Sequence, residues 1–109
     1  MPVYNKLVRD KIPEIIKSAG KECRTKELIE FEYIKELKIK LIEEVNEYQE
    51  AETDEQAIEE LADILEIIHS LTTVHGGDFA TLDAIRMKKF NERGGFQKKI
   101  LLIDVDDHR

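Results

Sequence analysis

Two long stretches of helical periodicity, parted by only three residues, limit the folds open to this chain more than any other feature. From about Ile29 to Ala51, the residues Phe31, Ile34, Leu37, Leu41, Val45 and Tyr48 recur at steps of three and four. From about Glu55 to Val74, Ile58, Leu61, Leu65, Ile68 and Thr72 form a second stripe, while Ile64, Ile67 and Leu71 lie on another side. A helix that is apolar on two sides packs against two neighbours. The second helix is therefore expected to be central, between the other helices and a second subunit. Glu52-Thr53-Asp54 breaks the pattern, and Thr53 or Asp54 can cap the second helix.

The remaining segments are shorter. Residues 1–13 read as an irregular lead-in. Pro13 suits the first turn of a short helix from Pro13 to Ala19, which Gly20 stops. Lys21 to Leu28 has an extended, polar-alternating flavour. His75-Gly76-Gly77 ends the second long helix, and Asp78 can cap a third from about Phe79 to Arg93, closed by Gly94-Gly95. Ile100 to Val105 reads as a short strand, pairing with the segment near Cys23, and Asp106-Asp107-His108-Arg109 as a frayed tail. The expected architecture is all-α: a bundle of about four helices with a minor two-stranded β element, completed by dimerisation.

At 109 residues, one domain spanning 1–109 is the natural division. A domain this small leaves much surface exposed and gains from oligomerising. Charged residues make up 38% of the chain, but Leu and Ile are plentiful, so a helical protein with charged outer faces fits better than disorder. A net charge of −7 argues against a general nucleic-acid binder, which carries a basic stripe. Cys23 is the single cysteine, so no internal disulfide forms, which suits a reducing, cytoplasmic setting. No apolar run reaches signal-peptide or membrane-spanning length.

The informative feature for chemistry is Glu43-Glu44-Val45-Asn46-Glu47 followed by Glu60-Leu61-Ala62-Asp63. Each holds carboxylates at i and i+3, about one helical turn apart. On antiparallel helices the two pairs can face each other, and four converging carboxylates repel unless cations neutralise them. Mg²⁺ and Mn²⁺ prefer such hard-oxygen sites. Mg²⁺ keeps positions open for water and phosphate oxygens, which suits phosphoryl chemistry. Glu-rich helix faces are usually just solvated. Here, at about 100° per residue, Glu44 falls beside the Leu41/Val45/Tyr48 stripe, and Glu60 and Asp63 bracket the side carrying Ile64 and Ile67. Unpaired carboxylates bordering a core are costly. Glu43 lies nearly opposite the first stripe. Three roles stay open for it: a solvated residue, a support behind the metal ligands, or the base for a water.

Glu44-x-x-Glu47, twelve residues, then Glu60-x-x-Asp63 resembles the signature of the all-α NTP pyrophosphohydrolase superfamily, which includes MazG, dimeric dUTPases and phosphoribosyl-ATP pyrophosphohydrolase. The ends resemble a narrower branch of small, phosphoribosyl-ATP pyrophosphohydrolase-like house-cleaning proteins. Tyr4-Asn5-Lys6-Leu7-Val8-Arg9-Asp10-Lys11-Ile12-Pro13 is similar to their opening. Lys88-Lys89-Phe90-Asn91-Glu92-Arg93-Gly94-Gly95-Phe96 is similar to their closing Lys-x-x-x-Arg element. The resemblance covers about residues 4–97. It implies cleavage of the α–β phosphoanhydride of a nucleoside triphosphate, a non-canonical one, to monophosphate and pyrophosphate. It also implies Mg²⁺, with Mn²⁺ as a substitute, on Glu44, Glu47, Glu60 and Asp63, phosphate contacts from Lys89 and Arg93, and a homodimer or higher homo-oligomer.

On their own terms the basic residues are less decisive. Lys89 and Arg93, at i and i+4, share a face near a helix end where cations also suit the dipole. Lys6, Arg9 and Lys11 belong either to a solvated lead-in or to an arm folding over the site as substrate contacts, with Asn5 a reader of base or ribose. Catalysis is assigned to Glu43, Glu44 and Glu47, through a metal-bound or Glu-activated water attacking phosphorus with no covalent intermediate. His69 and His75, six residues apart, do not share a helix face well, which argues against a zinc pair. Asp104-Val105-Asp106-Asp107 lacks the spacing and glycine of a calcium loop. Two rival readings remain: phosphoribosyl-ATP hydrolysis in histidine synthesis, and a non-enzymatic helical interaction module.

Overall fold

The computed structural model describes residues 2–106; Met1 and Asp107–Arg109, with most of the tail expected to fray, lie outside them. The protein is all-α, with four helices: α1 (Ile12–Ser18), α2 (Glu30–Glu50), α3 (Asp54–Val74) and α4 (Phe79–Arg93). It divides into two compact units, one ending at Gly77 and the other beginning at Asp78.

In the first unit α2 and α3 pack on each other along their length as an antiparallel hairpin. The link between them is Ala51-Glu52-Thr53, and two hydrogen bonds fix it. The Thr53 hydroxyl accepts from the Gln56 N–H at 3.1 Å, making Thr53 rather than Asp54 the N-cap. The Gln56 side chain in turn accepts from the Glu52 N–H at 3.1 Å. So short and tethered a link leaves the helices little freedom to slide, and it sets their register.

That register is legible in the buried residues. Leu37 lies thirteen residues before the end of α2, and Ile67 thirteen after the start of α3. These are the two buried apolar side chains of the described residues. Ile34, Leu41, Ile64, Ile68 and Leu71 are half-buried around them. The side of α3 that carries Ile64, Ile67 and Leu71 is the shielded one. The stripe of Ile58, Leu61 and Leu65 stays open, with Ile58 66% exposed.

Helix ends obey their local chemistry. α1 carries Pro13 in its first turn. It closes with Lys21 N–H donating to Ile16 C=O and Gly20 N–H to Lys17 C=O, a Schellman arrangement around Gly20 at φ 81°. α3 closes the same way, with Gly77 N–H to Thr72 C=O and Gly76 N–H to Thr73 C=O around Gly76 at φ 80°. In the second unit Asp78 caps α4 by accepting from the Thr81 N–H at 2.8 Å.

The minor β element is corrected: no strand forms among the described residues. Ile100–Val105 is an extended apolar run, but a strand exists only as a member of a ladder. Neither this run nor the segment near Cys23 has backbone hydrogen bonds to another segment. Ile100, Leu101, Leu102, Ile103 and Val105 are accordingly exposed.

With so few residues fully buried, truncating one of them should be felt. Leu37→Ala is expected to lower unfolding stability by about 2–5 kcal/mol, and Thr53→Ala by about 1 kcal/mol. Urea denaturation monitored by circular dichroism at 222 nm reads both; a Leu37→Ala loss below that of Thr53→Ala would contradict the packing described.

Candidate metal centre

The hairpin register that pairs Leu37 with Ile67 also pairs two carboxylates. Glu44 lies six residues before the end of α2, and Glu60 six after the start of α3. Each stands one heptad from the buried apolar residue of its own helix. Seven residues rotate a helix by nearly two full turns, within about 20°. Glu44 and Glu60 therefore occupy core-facing positions where the pattern would otherwise call for an aliphatic side chain.

Glu44 is buried, at 8% exposure, and Glu60 is half-buried. Glu44 Oε2 and Glu60 Oε2 are both shut off from solvent, and neither has a hydrogen-bond partner among the described residues. Glu47, one turn on from Glu44, is exposed and completes the group. One oxygen from each of Glu44, Glu47 and Glu60 lies within 4.8 Å of the others. Buried acceptors left unpaired are costly and rare, and three carboxylates this close repel. A cation answers both penalties, and carboxylate oxygens are the donors that hard divalent cations take. Burial pushes the Glu44 carboxyl up from its ordinary 4.5 to about 7, and the facing Glu60 carboxyl, Glu47 and Asp63 add to the rise.

Asp63 stands apart from this triad. It is close enough for its charge to act on Glu44, but its Oδ1 accepts a hydrogen bond from Arg9 Nη2 at 2.6 Å. The pair joins residues 54 apart and brings the N-terminal arm onto α3. Further back along the arm, Tyr4, Asn5 and Lys6 face Glu36, Lys40 and Glu43 of α2 across a cleft of about 230 Å³. Asn5 turns the chain there at φ 47°, a conformation asparagine tolerates better than most residues. Glu43 is thus a wall of this cleft, beside Lys6. Glu36 and Lys40 were not singled out in the sequence, although their spacing from Glu43 at i, i+4 and i+7 puts all three on one helical face.

The remaining predicted residues are exposed. Lys11 immediately precedes α1. Lys89 and Arg93 lie one turn apart at the end of α4, in the second unit. In the same stretch Lys88 pairs with Glu92 at 4.0 Å. Glu44, Glu47 and Glu60 are the residues with metal-ligand spacing among those described, and neither His69 nor His75 is in the group.

The raised Glu44 carboxyl makes stability depend on pH. Its proton is held more tightly in the folded than in the unfolded chain. The stabilisation is therefore complete below about 4.5 and is lost as pH rises through about 7. Metal-free protein is expected to lose at most about 3 kcal/mol over that window, and Glu44→Gln should remove most of the dependence. Thermal melts at pH 4.5, 6 and 8 in chelator measure this; equal slopes for the two proteins would show that Glu44 is not the titrating group.

No protein-family model, no curated protein and no solved structure matches the chain, so the reading of this centre rests on its own residues.

Proposed function

We propose that the protein is a Mg²⁺-dependent pyrophosphohydrolase that cleaves the α–β phosphoanhydride of a nucleoside triphosphate, a non-canonical one, to the monophosphate and pyrophosphate. The observation that carries this reading is Glu44: a carboxylate buried at a core position, with one oxygen unpaired, against Glu47 and Glu60. A fold that needed only a core would place an aliphatic residue there. The motif resemblance, Glu44-x-x-Glu47 and Glu60-x-x-Asp63 with the basic elements at both ends, supports the same reading and suggests the MazG-like superfamily.

Under this reading Glu44, Glu47 and Glu60 hold the ion, with Asp63 beside them, and Mn²⁺ can replace Mg²⁺. The bound ion shields phosphate oxygens and eases deprotonation of a water at neutral pH. The chain does the rest. Glu44 gives up its proton when the site is loaded, and its burial keeps bulk water from that side of the cluster. Lys89 and Arg93 share one face of α4, and the motif resemblance makes them candidate phosphate contacts. Lys6, beside Glu43 in the cleft, contacts substrate from the arm, and Lys11 adds positive charge behind it. Water gives a proton to a carboxylate of the site and adds to Pα, the bond from Pα to the bridging oxygen breaks, and pyrophosphate leaves with that oxygen.

The apolar stripe of Ile58, Leu61 and Leu65 and the exposed Ile42 on α2 support a homo-oligomer. Among the described residues no helix is long and apolar enough to cross a membrane. We place the enzyme in the cytoplasm because its single cysteine, Cys23, suits a reducing compartment. A helical interaction module would use the same apolar faces, but it leaves the buried Glu44 without a purpose.

Purified protein incubated with canonical and damaged NTPs, and with phosphoribosyl-ATP, should release pyrophosphate only when Mg²⁺ is present. Orthophosphate instead would discard α–β cleavage. Glu47→Ala and Asp63→Ala should each lower turnover by at least about 100-fold with helical content unchanged; full activity in either would sink the scheme. Leu61→Glu should shift the mass measured by light scattering towards the 12.7 kDa chain; wild type already running at that mass would refute the oligomer.

A further inference from the structure

The Arg9–Asp63 pair sits where a cation is wanted. Asp63 comes one turn after Glu60, and its charge acts on the buried Glu44. Asp63 thus stands beside the cluster, and Arg9 supplies a positive charge at its rim. The contact is a single hydrogen bond from one guanidinium nitrogen to one carboxylate oxygen at 2.6 Å, not a two-pronged fork. Both side chains are well exposed, 57% for Arg9 and 42% for Asp63. An exposed single-point ion pair shifts an equilibrium by no more than about five-fold. The rest of the arm is lightly held too: Tyr4, Asn5 and Lys6 are exposed and Leu7 is half-buried.

We propose that Arg9 is a stand-in cation: it rests on Asp63 while the cluster is empty, and it leaves Asp63 for substrate phosphate when the cluster takes up a divalent ion. The inference rests on the metal reading above and adds a coupling between metal and arm. Two facts drive the exchange. A divalent charge held by Glu44, Glu47 and Glu60 repels the neighbouring guanidinium, and it offsets part of the negative charge that draws Arg9 in. The released guanidinium then has a better partner, because its planar fork matches two phosphate oxygens at once. Arg9 thus acts as a positioning device for the arm before it acts as a phosphate contact. The same residue screens the acids in the resting protein and the polyphosphate in the loaded one.

The coupling can be read without turnover. Backbone ¹⁵N relaxation of the full chain reports the mobility of residues 3–10, and calorimetry gives the affinity for Mg²⁺ alone. Adding Mg²⁺ to wild type should raise the mobility of the arm to that of metal-free Arg9→Gln, while the α2 and α3 amides stay rigid. Inorganic pyrophosphate added next should order the arm again in wild type and not in Arg9→Gln. Arg9→Gln should bind Mg²⁺ up to about five-fold more tightly, since the competing cation is gone. Because Arg9 is exposed, unchanged helix resonances in the variant certify its fold. Mg²⁺ binding with an arm that stays as ordered as before, or weaker Mg²⁺ binding by Arg9→Gln, overturns the stand-in role and leaves the metal site standing. Absence of both Mg²⁺ and Mn²⁺ binding in wild type overturns both.

Discussion

The carboxylate of Glu44 stands at a position of the α2–α3 hairpin that would ordinarily hold an aliphatic side chain, and the rest of the first unit is organised around that substitution. The three-residue link and its Thr53 cap set the register. The register places Leu37 opposite Ile67 and, one heptad towards the turn, Glu44 opposite Glu60. A bare carboxylate in such a place is expensive, because desolvation and like charge both oppose it. The protein has two ways to relieve that cost. It can keep a proton on Glu44, as a carboxyl raised to about 7 signifies, or it can admit a cation. Sequences that break the local packing rule tend to do so at sites with a task, and here the break is confined to one turn of one hairpin.

The cost is not confined to electrostatics. Leu37 and Ile67 are the buried apolar residues of the described chain, and two buried side chains are a thin core for a unit reaching to Gly77. Small domains bury a low fraction of their surface, and using core positions for Glu44 and Glu60 lowers it further. The open stripe of Ile58, Leu61 and Leu65 on α3 lies on the side away from this site. One helix can therefore present acids and core to α2 and an apolar face to a second copy. The acidic site and the exposed apolar stripe of α3 are separated by the 3.6-residue period itself.

Local signals were the most legible in the sequence. Pro13, Gly20, Thr53, Gly76 and Asp78 each act within a few residues, and each ends or starts a helix where expected. Glu44, Glu47 and Glu60 were legible because helical spacing converts sequence distance into direction, and a short link converts two helices into one register. Long-range choices were not legible in this way. Nothing in the local pattern says that Arg9 reaches Asp63, since the two are 54 residues apart and Arg9 lies in an arm without regular structure. The role of Glu43 was open for a related reason: its neighbours in the cleft come from the arm. The expected strand at Ile100–Val105 failed because β propensity describes fitness for a pleated surface, and a partner must exist before it counts. Which side of α3 would face α2 was likewise undecided by periodicity, as both sides are apolar.

Charge also dictates an order of events at the proposed site. A triphosphate carries several negative charges, and the hairpin presents Glu44, Glu47, Glu60 and Asp63 in a chain whose net charge is already −7. An anionic substrate would be repelled from bare acids by like charge, which also adds to the rise that burial causes at Glu44. Positive charge must therefore be in place before or together with the phosphates. Arg9 pairs with Asp63 at the cluster's rim, and a single charge cannot neutralise four carboxylates. A divalent ion in the triad would offset two of the four negative charges, and Arg9, released as proposed, could then meet the phosphates from the basic arm. On these grounds the acidic cluster does not itself attract the nucleotide. If the substrate is a nucleoside triphosphate, as proposed, a cation has to reach the cluster before the phosphates or together with them.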